Sequence, residues 1–270
     1  MGTQLSAFMQ ALESRRLLSG TVHVNAHGLL SVNLDATNNT VTVGYTDAVG
    51  TNVQVDVDGT ITTIPQTGTD ATVVKKLLIH CGVGADTVTI TPGDNGATLK
   101  EWDAPTTIRG GGGGDTITTG NEDDLIFGGA GHDSITAGNG NDAVFGGSGQ
   151  DTIVVGSGND FIFGGGTHTA HGGDSITAGG GNDTIFALAG DDVVNPGNGA
   201  DVLIYAGNGD TVNAGTGSDS VFIDANSTVE INGTASVKHV TGRRADAAFV
   251  RAYFRAIHDA AVQANEAINF

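Results

Sequence analysis

Basic residues are what this sequence lacks most. Between Gly110 and Val237 there is no Lys and no Arg, while the same stretch carries seventeen Asp or Glu residues. Over all 270 residues the formal net charge is −19, which argues against nucleic acid or an anionic membrane as a partner. One cysteine, Cys81, rules out an internal disulfide. It stands in Cys81-Gly82-Val83-Gly84-Ala85-Asp86 and reads as a small corner residue rather than a catalytic thiol. Aromatic residues make up 5%, too little for a broad conventional core. No run of eighteen apolar residues exists, so no membrane span is expected. Catalytic signatures are missing too: there is no His-Glu-x-x-His and no Gly-x-Ser-x-Gly. The pairs His23/His27 and His168/His171 have no carboxylate spaced to join them and read as strand-face and loop residues. The expectation is a protein that is not an enzyme.

Glycine is what the sequence has in excess, at 44 residues, more than twice ordinary usage. Its distribution is periodic. Asp115, Asp124, Asp133, Asp142, Asp151, Asp160, Asp174, Asp183, Asp192, Asp201, Asp210 and Asp219 follow one another at nine residues, apart from one step of fourteen. Most follow a glycine-rich pentad, as in Gly128-Gly129-Ala130-Gly131-His132-Asp133-Ser134-Ile135-Thr136. Two residues after each Asp stands Ile, Val or Leu. Such a unit is a strand of about three residues with one inward side chain. A strand that short is unstable alone and must stack on copies of itself. Glycine then makes the corners, where the backbone needs positive φ and close approach.

Stacking places equivalent aspartates about one strand spacing apart, roughly 5 Å. Carboxylates that close repel unless a cation lies between them, and no Lys or Arg is at hand. A hard divalent ion bound by carboxylate and carbonyl oxygens answers that need, and flexible loop geometry favours Ca²⁺ over Mg²⁺.

The nonapeptide G-G-x-G-x-D-x-U-x resembles the RTX (hemolysin-type) calcium-binding family of parallel β-rolls. That resemblance implies an all-β fold, a parallel β-roll or β-solenoid in which two nonapeptides make one turn and each ion is shared by loops one turn apart. Asp115, Asp133, Asp151, Asp174, Asp192 and Asp210 would then line one edge. Asp124, Asp142, Asp160, Asp183, Asp201 and Asp219 would line the other. Loop carbonyls would complete each shell. Several loops depart from the pattern. Glu122 replaces a glycine, Ala187-Leu188-Ala189-Gly190-Asp191 lacks the first glycines, Gly207 and Gly209 are displaced, and an insertion runs through Thr167 to His171. The expected number of Ca²⁺ ions is therefore about six to eight.

The flanks differ from the repeats. Residues 1–20 form a targeting-like segment in which Leu12-Glu13-Ser14-Arg15-Arg16-Leu17-Leu18-Ser19 is similar to the LEPR-x-LL element of planctomycete-type surface proteins, with Ser14 where that element has Pro. Residues 21–109 read as a β-rich cap leading into the roll, with an Asp58-Gly59 hairpin turn. The roll occupies 110–240. In 241–270, Phe249, Tyr253, Phe254, Ile257, Ala261, Ala264 and Ile268 recur at helical spacing, so a C-terminal α-helix is expected, serving as cap or secretion signal. The function these features imply is an extracellular calcium-binding module, secreted or on a bacterial cell surface, that folds on meeting Ca²⁺. Its role would be structural or adhesive, with cell-surface or polysaccharide components as partners. An ice-binding roll, or the accessory module of a secreted polysaccharide-active enzyme, are the alternatives.

Overall fold

A computed structural model describes residues 20–35, 37–46, 52–66, 74–91, 104–165, 172–188, 190–206, 209–224, 229–233 and 235–240. The expected C-terminal helix and the Thr167–His171 insertion lie outside them. Among the described residues there is no helix; the secondary structure is strand throughout.

Two eleven-stranded sheets face each other across a narrow core. One is built mostly of longer strands. Its repeat strands include Thr106–Gly112, Leu125–Ala130, Ala143–Ser148, Phe161–Gly165 and Thr184–Phe186. The other takes the three-residue strands: Thr116–Thr118, Ser134–Thr136, Thr152–Val154, Ser175–Thr177 and Val193–Asn195. The chain alternates between the sheets, and each strand pairs in parallel with the one a turn away: Ile126 with Ile108 and Val144, Ile135 with Ile117 and Ile153. This is the parallel roll that the nine-residue period requires.

The core follows from the same period. Ile117, Ile126, Ile135, Val144, Ile153, Ile162, Ile176, Ile185, Val194, Leu203, Val212 and Val221 are all buried. Each rests on its own equivalent above and below. Burying such a side chain is worth roughly 2–3 kcal/mol, which supplies the stability that three residues of backbone pairing cannot.

Parallel stacking begins well before the first perfect nonapeptide. Leu29–Leu34 pairs in parallel with Lys76–Val83, and Thr40–Tyr45 with Thr87–Ile90. Antiparallel strands then cover the edge of each sheet at this end. Gly20–Val24 pairs with Leu29–Leu34, and the hairpin Asn52–Val57/Thr60–Pro65 pairs with Thr40–Tyr45. Its turn is at Asp58-Gly59, both with positive φ (50° and 79°), the mirror-image turn that suits twisted strands. An edge of unpaired backbone invites aggregation, so these strands are where the roll is closed off.

The insertion does not disturb the register. Gly147 pairs with Gly165 before it and Thr152 with Ser175 after it. Five extra residues are taken up between strands that remain aligned.

Candidate metal centre

Each edge of the roll carries an unbroken file of buried aspartates. One holds Asp86, Asp115, Asp133, Asp151, Asp174, Asp192 and Asp210; the other holds Asp124, Asp142, Asp160, Asp183, Asp201 and Asp219. All thirteen are only 0–3% exposed. Position follows from chain path. Each Asp ends a glycine-rich corner and precedes the strand whose inward residue is two positions on, so the carboxyl lies between corner and core.

Within a file the residues are linked turn to turn. The backbone N–H of each residue donates to Oδ1 of the aspartate one turn later. Asp86 donates to Asp115, Asp115 to Asp133 and Asp133 to Asp151, at 2.8–2.9 Å. Across the insertion Asp151 donates to Asp174 and Asp160 to Asp183, both at 2.8 Å. Neutral residues begin both files. Asn39 donates to Asp86 at 2.7 Å, and Thr106 to Asp124 at 2.8 Å.

The second carboxyl oxygen is different. Oδ2 of Asp86, Asp115, Asp124, Asp133, Asp142, Asp151, Asp160, Asp183, Asp192, Asp201 and Asp219 is buried with no hydrogen-bond donor. A buried polar atom without a partner costs about 1–3 kcal/mol, more when charged, so a row of them marks where a ligand belongs. The glycines frame the same places. A Cβ added at Gly128 would lie 2.5 Å from both Asp133 Oδ2 and the Gly146 carbonyl oxygen. At Gly146 it would meet the Gly164 carbonyl oxygen and, at 2.6 Å, Asp151 Oδ2. Only glycine can stand at these corners, because any Cβ there would strike an aspartate Oδ2 and a neighbouring carbonyl oxygen, so carboxylate and carbonyl oxygens lie side by side along the file. Farther out, a Cβ at Gly131 or Gly149 would strike the carbonyl oxygen of Gly113 or Gly131 one turn back, so loop carbonyls also stand in file. Among the described residues no three His, Cys, Asp or Glu side chains converge on one point. An ion here would draw on one or two carboxylates and on backbone carbonyls for the rest.

Burial pushes these carboxyls up. Asp142 rises from 3.8 to about 8, Asp174, Asp183 and Asp192 to about 7, and Asp115, Asp124 and Asp151 to about 6. In each, loss of water is the first cause and the backbone N–H bond opposes it. Repulsion from the neighbouring turn comes after both for Asp142, Asp174, Asp183 and Asp192. The charge-repulsion argument from sequence therefore names a real effect of lower rank. Without a cation, burial in the folded roll works against charging these groups.

The family model of the RTX calcium-binding nonapeptide repeat (four copies) matches residues 109–144, 145–167 and 172–203. Residues 109–203 are RTX calcium-binding repeats. No curated protein and no solved structure matches the chain. The RTX stretch covers Asp115 to Asp201, and both files run past it, to Asp86 at one end and to Asp210 and Asp219 at the other. The loops that depart from the repeat keep their aspartates in file. Asp124, after the Glu122 loop, bonds on to Asp142; Asp192, after Ala187–Asp191, receives Asp174 and bonds on to Asp210. Leu188 holds that second loop in shape by taking φ 58° itself. Asp86 was visible as a repeat-like unit in the sequence, but only the pairing of Gly82 with Gly111 puts its loop under the loop of Asp115. Nothing in the sequence marks Asn39 and Thr106 as the neutral first members. Cys81 is buried and its thiol is pushed up by that burial, the behaviour of a packing residue. Among the described residues no helix is long and apolar enough to cross a membrane.

Proposed function

We propose that this protein is an extracellular calcium-binding roll, secreted or held at a bacterial cell surface, that folds when it meets external Ca²⁺ and then serves a structural or adhesive role without catalysing a reaction. The observation that carries this reading is the row of buried Oδ2 atoms with no donor, in a stretch with no Lys or Arg. Asp86, Asp115, Asp133, Asp151, Asp174, Asp192 and Asp210 on one edge, and Asp124, Asp142, Asp160, Asp183, Asp201 and Asp219 on the other, would hold the ions together with loop carbonyls. Bound Ca²⁺ supplies the positive charge the roll does not encode, and its binding energy becomes folding energy. Where calcium is scarce the ionised files oppose folding; at millimolar calcium they are neutralised. Departures in the loops reduce the number of filled gaps to roughly six to eight.

Calorimetric calcium titration, with circular dichroism followed in parallel, tests this. Several ions should bind while β signal grows, and chelator should reverse both. A spectrum indifferent to chelator would overturn the proposal.

The ice-binding alternative has one supporting feature, an outward amide ladder on the edge of Asp124. Asn139 Nδ2 donates to Asn121 Oδ1 at 2.9 Å, and Asn159 and Asn182 backbone N–H groups donate to Asn141 and Asn159 Oδ1, both at 2.9 Å. Gly180 and Ala200 interrupt it. A thermal-hysteresis measurement in calcium separates the two readings.

A further inference from the structure

The two sheets differ on their outer sides. On the short-strand sheet the outward positions are mostly polar, with Thr116, Ser134, Thr136, Thr152 and Ser175 exposed and Val154 and Val193 the exposed apolar exceptions. On the long-strand sheet an outward file runs His80, Arg109, Phe127, Phe145, Phe163 and Phe186, each in register with the next, and the same register leads two strands on to Phe222. The rings touch. Phe127 stacks on Phe145 with centroids 4.9 Å apart, Phe145 meets Phe163 at 6.4 Å, and Phe163 meets Phe186 at 6.2 Å. Phe161, in the adjacent file, bridges Phe145 and Phe186 at 5.9 and 5.4 Å. Arg109 closes one end, its guanidinium carbon 5.5 Å from the Phe127 centroid.

The middle of this outer face is shielded from water, while Phe127, Phe161, Phe163 and Phe222 around it stay partly exposed. Phe145 is 5% exposed and Phe186 2%, although both point away from the core between the two sheets. Neighbours within a sheet shield a ring's sides but leave its top open to water, so burial this deep needs a cover. Six of the ten Phe residues lie on this side, and two more, Phe249 and Phe254, fall in the stretch that follows the last strand.

We propose that residues 241–270 fold back as an amphipathic helix along the outer side of the long-strand sheet, laying Phe249, Tyr253, Phe254 and Ile257 on the phenylalanine ladder. Three observations converge on this occupant. Continuity is the first: the last strand, Ala235–Val240, is the end strand of this same sheet, so residue 241 starts at the ladder's edge. Length is the second. Helix over 246–268 spans about 35 Å at 1.5 Å per residue, and the five strand steps from Phe222 back to Phe127 span about 24 Å. Charge is the third. Arg243, Arg244, Arg251 and Arg255 would be brought to a stretch that has seventeen acidic residues and no basic one. The segment is thus assigned to the side of the roll, not to the end of its column, and it would dock only after calcium has built the face it rests on.

Hydrogen exchange by mass spectrometry on the full chain in saturating calcium tests this. Peptides from 246–268 should be protected, and chelator should abolish the protection. In the F145S/F163S variant those peptides should exchange at least about tenfold faster while peptides of the roll keep their protection. Where those changes unfold the roll, Y253D/F254D decides, since it alters only the segment. It should deprotect 246–268, leave calcium stoichiometry unchanged, and give calcium-dependent binding of an apolar dye. Undiminished protection of 246–268 in Y253D/F254D, or no protection in the unaltered protein, would overturn the proposal. So would a calcium-bound dimer in sedimentation that Y253D/F254D leaves intact and F145S/F163S dissociates, because the cover would then be a second copy of the chain.

Discussion

Asp142→Asn should stabilise the roll in chelator and destabilise it in calcium. Asp142 is 2% exposed, and its Oδ1 accepts the Asp124 N–H at 2.9 Å. Asparagine keeps that acceptor and the shape while removing the charge. Burial raises the Asp142 carboxyl from 3.8 to about 8. The sign follows from linkage: a folded value above the unfolded one gives stability that is whole below pH ~4 and is lost as pH rises through ~8. At about 1.4 kcal/mol per pH unit the ionised group costs the folded state roughly 5 kcal/mol at pH 8. Water reaching the loops halves this to about 3 kcal/mol. In chelator, then, the variant should unfold at a higher pH than the unaltered protein, with a gap that closes towards pH 4. In calcium the ranking should reverse, because a ligand carboxylate is gone. Circular dichroism against pH, with chelator and with calcium, reads both. Equal unfolding pH for the two proteins in chelator would refute the argument from buried charge. A variant at least as stable as the parent in calcium would refute the role of Asp142 in holding an ion.

Three further substitutions test the frame around the site. Ile135→Ala empties one place in a close-packed column and should cost about 2–4 kcal/mol in calcium, measured by urea unfolding. Gly131→Ala sets a Cβ against the Gly113 carbonyl at φ 140°; a loss above about 2 kcal/mol with a lower calcium count is expected, and calorimetry measures both. Leu188→Gly relieves a left-handed leucine, so a gain of about 1 kcal/mol in thermal unfolding is expected.

How far the sequence could be read depends on what kind of information each feature carries. The period of Asp and of the aliphatic residue two positions later is local and exact in count, so strands, corners and both acidic edges could be named from it. Asp58-Gly59 is equally local and forms its turn as expected. The start of the roll at Leu29 carries no such mark. Leu29–Leu34 and Thr40–Tyr45 alternate like any strand, and only their parallel pairing with Lys76–Val83 and Thr87–Ile90 makes them a turn of the solenoid. Asp86 belongs to the files for the same reason. The phenylalanine ladder did leave a trace, since Phe127, Phe145 and Phe163 recur at eighteen residues. That is twice the obvious period, and a search tuned to nine passes over it. Repulsion between carboxylates is evident from composition, but the depth at which each is buried is a property of the fold.

The fourteen-residue unit shows how such a molecule can be enlarged. Because Gly147/Gly165 and Thr152/Ser175 stay aligned on either side of it, five extra residues enter the chain at a corner without altering the register of the strands. Additional segments, even whole modules, could be grafted at such a corner while the scaffold beneath keeps its pattern. Length is accumulated along the axis, and novelty is added at right angles to it.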